Sequence, residues 1–207
     1  LRGAGYDAAL AGKWHVPGCQ PEDCGLDVLC PMNDALVPSV SADYFNAERD
    51  KPFFLFASFI NPHDICQIAR NQDLPQGPVP TAPLDECPSL PENFAIPPYG
   101  PEALQMLRSR SPRIYPTLEW SDDDWRHFRY AYYRLCEKVD AEVVRLLDAL
   151  DASGKADNTI VIFTSDHGDG HGAHHWNQKT ALWEEEIRIP MIVSAPGGPG
   201  GRVDDRL

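Results

Sequence analysis

Apolar residues recur every three or four positions from Trp125 onward, through Phe128, Tyr132, Leu135, Val139, Val143, Leu146 and Leu150. That spacing lays one apolar stripe along a long helix. Ser121 stands ahead of it as an N-cap, three aspartates (122–124) load the first turn with favourable charge, and Gly154 is placed to close it. Elsewhere the apolar residues come in unbroken runs rather than in alternation. Residues 52–60 (PFFLFASFI) have the pattern of a strand covered on both faces, 159–164 (TIVIFT) are expected to be a buried strand, and 191–195 (MIVSA) a further apolar strand.

Around these anchors the chain alternates helix and strand. Residues 2–9 are expected to be helical, and residues 8–14 to turn into a strand that ends at Gly12-Lys13-Trp14-His15. Residues 16–41, rich in Pro, Cys and Asp, are expected to form an irregular connection. Residues 71–118 hold many of the 20 prolines without periodicity and predict a long surface excursion on the substrate side. The fold class that follows is α/β, with a mainly parallel sheet flanked by helices. No internal repeat is visible.

Three predicted strand ends carry polar residues: Lys13 and His15, then His63, then Asp166 and His167. The carboxyl ends of parallel strands form the usual crevice of an open α/β sheet. A single histidine after a strand is most often a hydrogen-bonded surface residue. Three such ends together predict one pocket with a carboxylate, imidazoles and amines.

Composition narrows the function. The formal net charge of −13 argues against nucleic acid, whose binding depends on basic surface. Anion binding would therefore have to be local. No apolar run approaches the roughly 20 residues that span a bilayer. Of the six cysteines, Cys19, Cys24 and Cys30 cluster, but not with the C-x-x-C spacing of a zinc site, so unligated or casually paired thiols are the expectation. The chain begins at Leu1 inside an apparent helix and is expected to be a piece, truncated at both ends.

Three ordered segments then carry a specific resemblance. GYDAALAGKWH is similar to the G-Y-x-[ST]-x-x-x-G-K-W-H signature of the type I, formylglycine-dependent sulfatases of the alkaline-phosphatase-like superfamily. FFLFASFINPH resembles their strand-plus-Pro-His segment. The run from Asn158 to Pro196, with S-D-H-G and a lysine thirteen positions after Asp166, resembles their metal motif. Ala8 replaces the usual Ser or Thr, and Trp183 a frequent Tyr. The family's C-x-P-S-R nucleophile motif does not occur, since Cys87-Pro88-Ser89-Leu90 departs from it, and the upstream Asp pair is missing too. Truncation accounts for these gaps better than loss.

The resemblance implies a partial catalytic domain over residues 1–207 that hydrolyses sulfate esters of a carbohydrate or small molecule. It implies one Ca²⁺ held by Asp166 and His167, and a formylglycine nucleophile outside this chain. Lys13 and Lys179 would bind the sulfate, His15 would orient the nucleophile and help release sulfate, and His63 would be general acid. His174 would reach the sulfate or the first sugar. Asp64, Asp169 and Trp176 are candidates to line the pocket, whereas Glu184, Glu185 and Glu186 are expected to form a solvated helix start. Family likeness favours a periplasmic or secreted address and leaves oligomeric state open. Two alternatives stand beside this reading: a phosphonate monoester or phosphodiester hydrolase of the same superfamily, and an inactive sulfatase fragment.

Overall fold

The computed structural model describes residues 1–110, 117 and 119–203. Part of the expected Pro-rich excursion, residues 111–116 and 118, lies outside the described residues. The first strand, β1 (Asp7–Gly12), is flanked by β2 (Asp27–Cys30) and β3 (Phe53–Ser58), both parallel to it, giving the order β2-β1-β3. As the central strand, β1 is buried almost throughout, and its small residues let layers close on both faces. On one face Ala11 and Cys30 pack with Val37 of α1 (Val37–Asn46). On the other, Ala8, Leu10 and Leu26 meet Trp14.

Two expectations fail near the N-terminus. The predicted helix over residues 2–9 is only a 3-10 turn at Arg2–Ala4, because Asp7 already pairs with Phe53 in the sheet and ladder bonds override local helix preference. The connection over residues 16–41 is not irregular throughout. It contains β2 and the start of α1, which Asn33 and Pro38 announce: Asn33 caps the preceding 3-10 turn through Ala35 N–H, and Pro38 sits in the first turn of α1.

The long helix is α4 (Asp122–Ala152), entered through a capping box. Ser121 Oγ accepts from Asp124 N–H at 3.2 Å, and Asp124 Oδ2 accepts from Ser121 N–H at 2.8 Å. Its apolar stripe buries Trp125, Phe128 and Leu135 against Ile65 and Ala69 of α2 (Ile65–Ala69), and α1 packs along it as well. Gly154 closes the end in the left-handed region, as its position predicts. Within the proline-rich segment, α3 (Glu102–Arg110) is a helix that periodicity did not reveal.

The last strands depart from expectation. β4 (Val161–Thr164) pairs antiparallel with β5 (Met191–Ser194), forming a two-stranded sheet apart from the parallel one. β4, expected to be buried, is largely exposed, with Ile162 at 58%, and β5 is exposed with it, Val193 at 55%, since no layer among the described residues covers either face. The short α5 (Glu184–Ile187) precedes β5. No helix among the described residues is long and apolar enough to cross a membrane.

Candidate active site

The ends of β1 and β3 place the first two site segments side by side. Gly12 pairs with Ser58, and Lys13 N–H donates to Ser58 O at 2.8 Å. Only glycine fits at position 12: its φ is +97°, and a Cβ there would lie 2.1 Å from Ser58 O. Beyond Ser58 the chain turns through the cis Asn61-Pro62 bond to His63. This turn is held from beneath by Asp34, a buried carboxylate. Asp34 accepts from Ile60 N–H at 2.7 Å, Asn61 N–H at 3.1 Å and Asn61 Nδ2 at 2.9 Å, and Gln76 Nε2 adds a longer contact at 3.3 Å.

The third segment leaves β4 as Ser165-Asp166-His167 and reaches the first across most of the chain. Lys13 Nζ donates to Asp166 Oδ2 at 2.9 Å. His167 Nε2 lies 3.6 Å from the same oxygen and 2.7 Å from Lys179 Nζ. Gly168 again has no room for a side chain, since a Cβ would sit 1.9 Å from Glu185 O. Lys13, Asp166, His167 and Lys179 thus form one contact chain, and His63 lies within reach of its charges.

Electrostatics follow from this crowding. Burial holds the Lys179 ammonium below its ordinary range, and the like charge of Lys13 pushes the same way. His63 is lowered by burial first, then by Lys179 and Lys13, with Asp64 opposing. Burial disfavours the Asp166 carboxylate, yet the Lys13 hydrogen bond and the nearby His167 outweigh it, so Asp166 ionises more readily than usual. The arrangement can stabilise an anion between two ammonium groups while a neutral or protonated imidazole stands beside it. A cleft next to His63 is lined by Met32, Ile60, Asp64, Gln67, Pro75 and Gln76, so the beginning of the Pro-rich segment borders the site.

Two predicted residues stand apart from the contact chain. His15 is exposed, two positions past Lys13, and takes no part in these contacts. His174 stacks on Trp183 with ring centroids 4.1 Å apart, its N–H donates to Asn93 O at 2.7 Å, and Arg108 donates to its carbonyl at 2.6 Å. Trp176 does not line a pocket, because it is fully buried with the Arg108 guanidinium over its ring.

The solvated acidic turn is also corrected. Glu186 is 2% exposed, with Oε2 accepting Ala181 N–H at 2.7 Å. Burial raises its pKa to about 7. Asp34 and Glu186 are the supporting residues that sequence reasoning missed. The start signal at Asn33 could have placed Asp34 at a helix entry, but nothing local marks either carboxyl as buried.

The sequence matches the Sulfatase family over residues 20–207. This chain belongs to the sulfatase family. It is 30% identical over 158 residues to a Delta 4,5-hexuronate-2-O-sulfatase of Bacteroides thetaiotaomicron, covering 74% of this chain and 32% of that protein. An ulvan-active sulfatase of Formosa agariphila is 31% identical over 212 residues, covering 95% and 40%. Among solved structures, a 2-O GAG sulfatase superposes with a TM-score of 0.79 at 25% identity, covering 95% of this chain and 45% of that one. The chain therefore has the α/β fold of these sulfatases and spans less than half the length of the relatives it matches. The phosphonate monoester hydrolase of Agrobacterium radiobacter shares the fold alone, with a TM-score of 0.61 at 24% identity over 81% of this chain and 34% of that one.

Proposed function

We propose that this chain forms part of a sulfuric ester hydrolase that cleaves sulfate esters of a carbohydrate in the periplasm or outside the cell. The observation that carries the reading is the contact chain Lys13–Asp166–His167–Lys179, which unites segments 153 residues apart beside His63. Two relatives named for a hexuronate 2-O-sulfate and for ulvan support a sulfated sugar as the substrate.

In this reading Lys13 and Lys179 grip the sulfate oxygens, and their fixed charge stabilises the transition state in which negative charge redistributes. His63 donates its proton to the leaving sugar oxygen, a contribution of about 10²–10⁴-fold in rate. His15, exposed two positions past Lys13, is assigned to the nucleophile, and His174 with Trp183 forms a ring stack on which a sugar can rest. The family's formylglycine supplies the nucleophile and lies outside these 207 residues.

Asp166 and His167 fit part of a cation site. Asp166 is 60% exposed, and one of its oxygens lies near the His167 ring. Ca²⁺ takes about 6–8 oxygen ligands, and among the described residues no three His, Cys, Asp or Glu side chains gather to hold an ion, so other residues would complete the sphere. When bound, the ion would neutralise charge on the sulfuryl oxygens.

The test is kinetic, in a polypeptide that carries both this chain and the nucleophile segment. Lys179→Ala should weaken turnover of every sulfate ester. His63→Ala should lose about 10²–10⁴-fold on a sulfated sugar but far less on a nitrophenyl sulfate, whose leaving group needs no proton. Equal losses on both esters would remove His63 as the acid. Preference for a phosphonate monoester over all sulfates would move the chain to the neighbouring branch of the fold.

A further inference from the structure

The loop between Lys13 and β2 carries a feature that sulfate hydrolysis does not use. Cys19 Sγ and Cys24 Sγ lie 2.9 Å apart, one partly exposed and the other exposed. A disulfide brings two sulfurs to about 2.0 Å, so less than an ångström of movement separates this contact from a bond. The local fold already holds the two residues together. Gln20 N–H donates to Asp23 Oδ2 at 3.0 Å, Asp23 N–H to Gln20 O at 3.1 Å and Cys24 N–H to Pro21 O at 3.0 Å. Gly25, in the left-handed region, then turns the chain into β2. The conformational cost of closing the ring is thus largely met by hydrogen bonds present without it.

The same loop is tied to the site. The Trp14 indole donates to Cys19 O at 2.8 Å while its ring packs on Ala8, Leu10 and Leu26. Trp14 lies between Lys13 and His15, so whatever fixes Cys19 also fixes the backbone that aims both residues.

We propose that Cys19 and Cys24 form an intrachain disulfide that clamps the loop over residues 16–25 and steadies the segment 13–15. The oxidant is a disulfide, either small-molecule or protein-borne, of an oxidising compartment. One cysteine thiolate attacks it and releases one thiol, and the other cysteine then displaces the second thiol from the mixed disulfide. Two protons and two electrons leave the cysteine pair, and the oxidant is reduced to two thiols. This modification is independent of the sulfatase reading, because its detection involves no substrate.

The experiment is thiol mapping of the folded protein after equilibration in a mixture of oxidised and reduced glutathione. Open thiols are blocked with N-ethylmaleimide, and the protein is digested without reductant and examined by mass spectrometry. The expected result is a peptide pair joined through Cys19 and Cys24, lighter by two hydrogens than the two thiols and labelled only after reduction. In Cys24→Ser, Cys19 should label at once, and reductant should no longer lower the melting temperature as it does in the parent. Labelling of both cysteines before reduction, or Cys19 joined to a different cysteine, would overturn the proposal.

Discussion

Asp34 is the side chain whose removal should do most damage for its size. Asp34→Ala leaves Ile60 N–H, Asn61 N–H and the Asn61 amide, now at 2.7, 3.1 and 2.9 Å from the carboxylate, facing an empty buried space. Hydrogen bonds to a charged group are each worth about 1.5–3 kcal/mol. Three bonds sharing one acceptor are not additive, so a total of about 3–5 kcal/mol is reasonable, the usual loss when a buried polar cluster is broken from one side. At this chain length that corresponds to a fall in melting temperature of roughly 6–20 °C. Urea unfolding followed by far-UV circular dichroism measures it directly. Asp34→Asn, which keeps one acceptor oxygen, should fall between the parent and Asp34→Ala. Because the same three donors shape the turn into His63, both variants should also lower kcat. A loss below about 1 kcal/mol for Asp34→Ala would show that the turn holds itself and that Asp34 is incidental.

Three further outcomes are expected. His63 must be protonated to act as an acid, and burial with two nearby ammonium groups lowers its pKa, so kcat/KM should fall as pH rises through a value below the ordinary histidine range. Bound sulfate would offset those charges, so the same limb in kcat should lie at higher pH; coincident limbs would contradict the electrostatic account. Glu186, raised to about 7 by burial, favours folding most when protonated, so its contribution is present below pH 4.5 and is lost as pH rises to about 7, by up to roughly 3 kcal/mol. Glu186→Gln should flatten the fall in melting temperature between pH 5 and 8, leaving a smaller slope from Asp169, which burial raises to about 6; an unchanged profile would mean the carboxyl finds water. Chelation should abolish turnover and Ca²⁺ restore it, whereas restoration by Zn²⁺ alone would point to a different metal chemistry.

The sequence shows faces more clearly than neighbours. The stripe from Trp125 to Leu150 located α4, and its half-buried middle at Val139, Val143 and Leu146 matches a helix that packs along one side. Unbroken apolar runs located β3, β4 and β5 but misjudged the cover over all three, Phe54 and Phe56 leaving one face of β3 open as well, because composition reports what a strand can bury and not whether a layer is supplied. The helix expected at residues 2–9 failed for a related reason, since Ala-rich sequence fits either state until the pairing with Phe53 decides. At the site, the strand-end residues were legible as motif positions. Their connection was not: a salt bridge between positions 13 and 166 has no local signature. Asp34 was invisible for the same reason, defined by donors 26 and 27 residues away, whereas Glu186 takes a donor only five residues back and was misread because its burial, not its partner, comes from the fold.

The charge balance of the site bears on how it can work at all. A chain with a net charge of −13 repels a sulfated polymer at long range, although screening confines that repulsion to about 10 Å at 0.1 M salt. Capture of such a substrate would therefore have to come from contact, and the contact chain is placed to supply it in a particular form. Asp166 binds Lys13 and sits beside His167, so in the substrate-free state one carboxylate offsets the cluster's positive charge. In the proposed reading, an incoming sulfate would compete with Asp166 for Lys13. A divalent cation on Asp166 would compete for the same carboxylate from the other side, freeing the lysine for the anion. Cation and sulfate would then bind cooperatively through a single side chain, each relieving the cost the other meets. Asp166 would then couple the two binding events, with its 2.9 Å bond to Lys13 the resting contact that both would have to break.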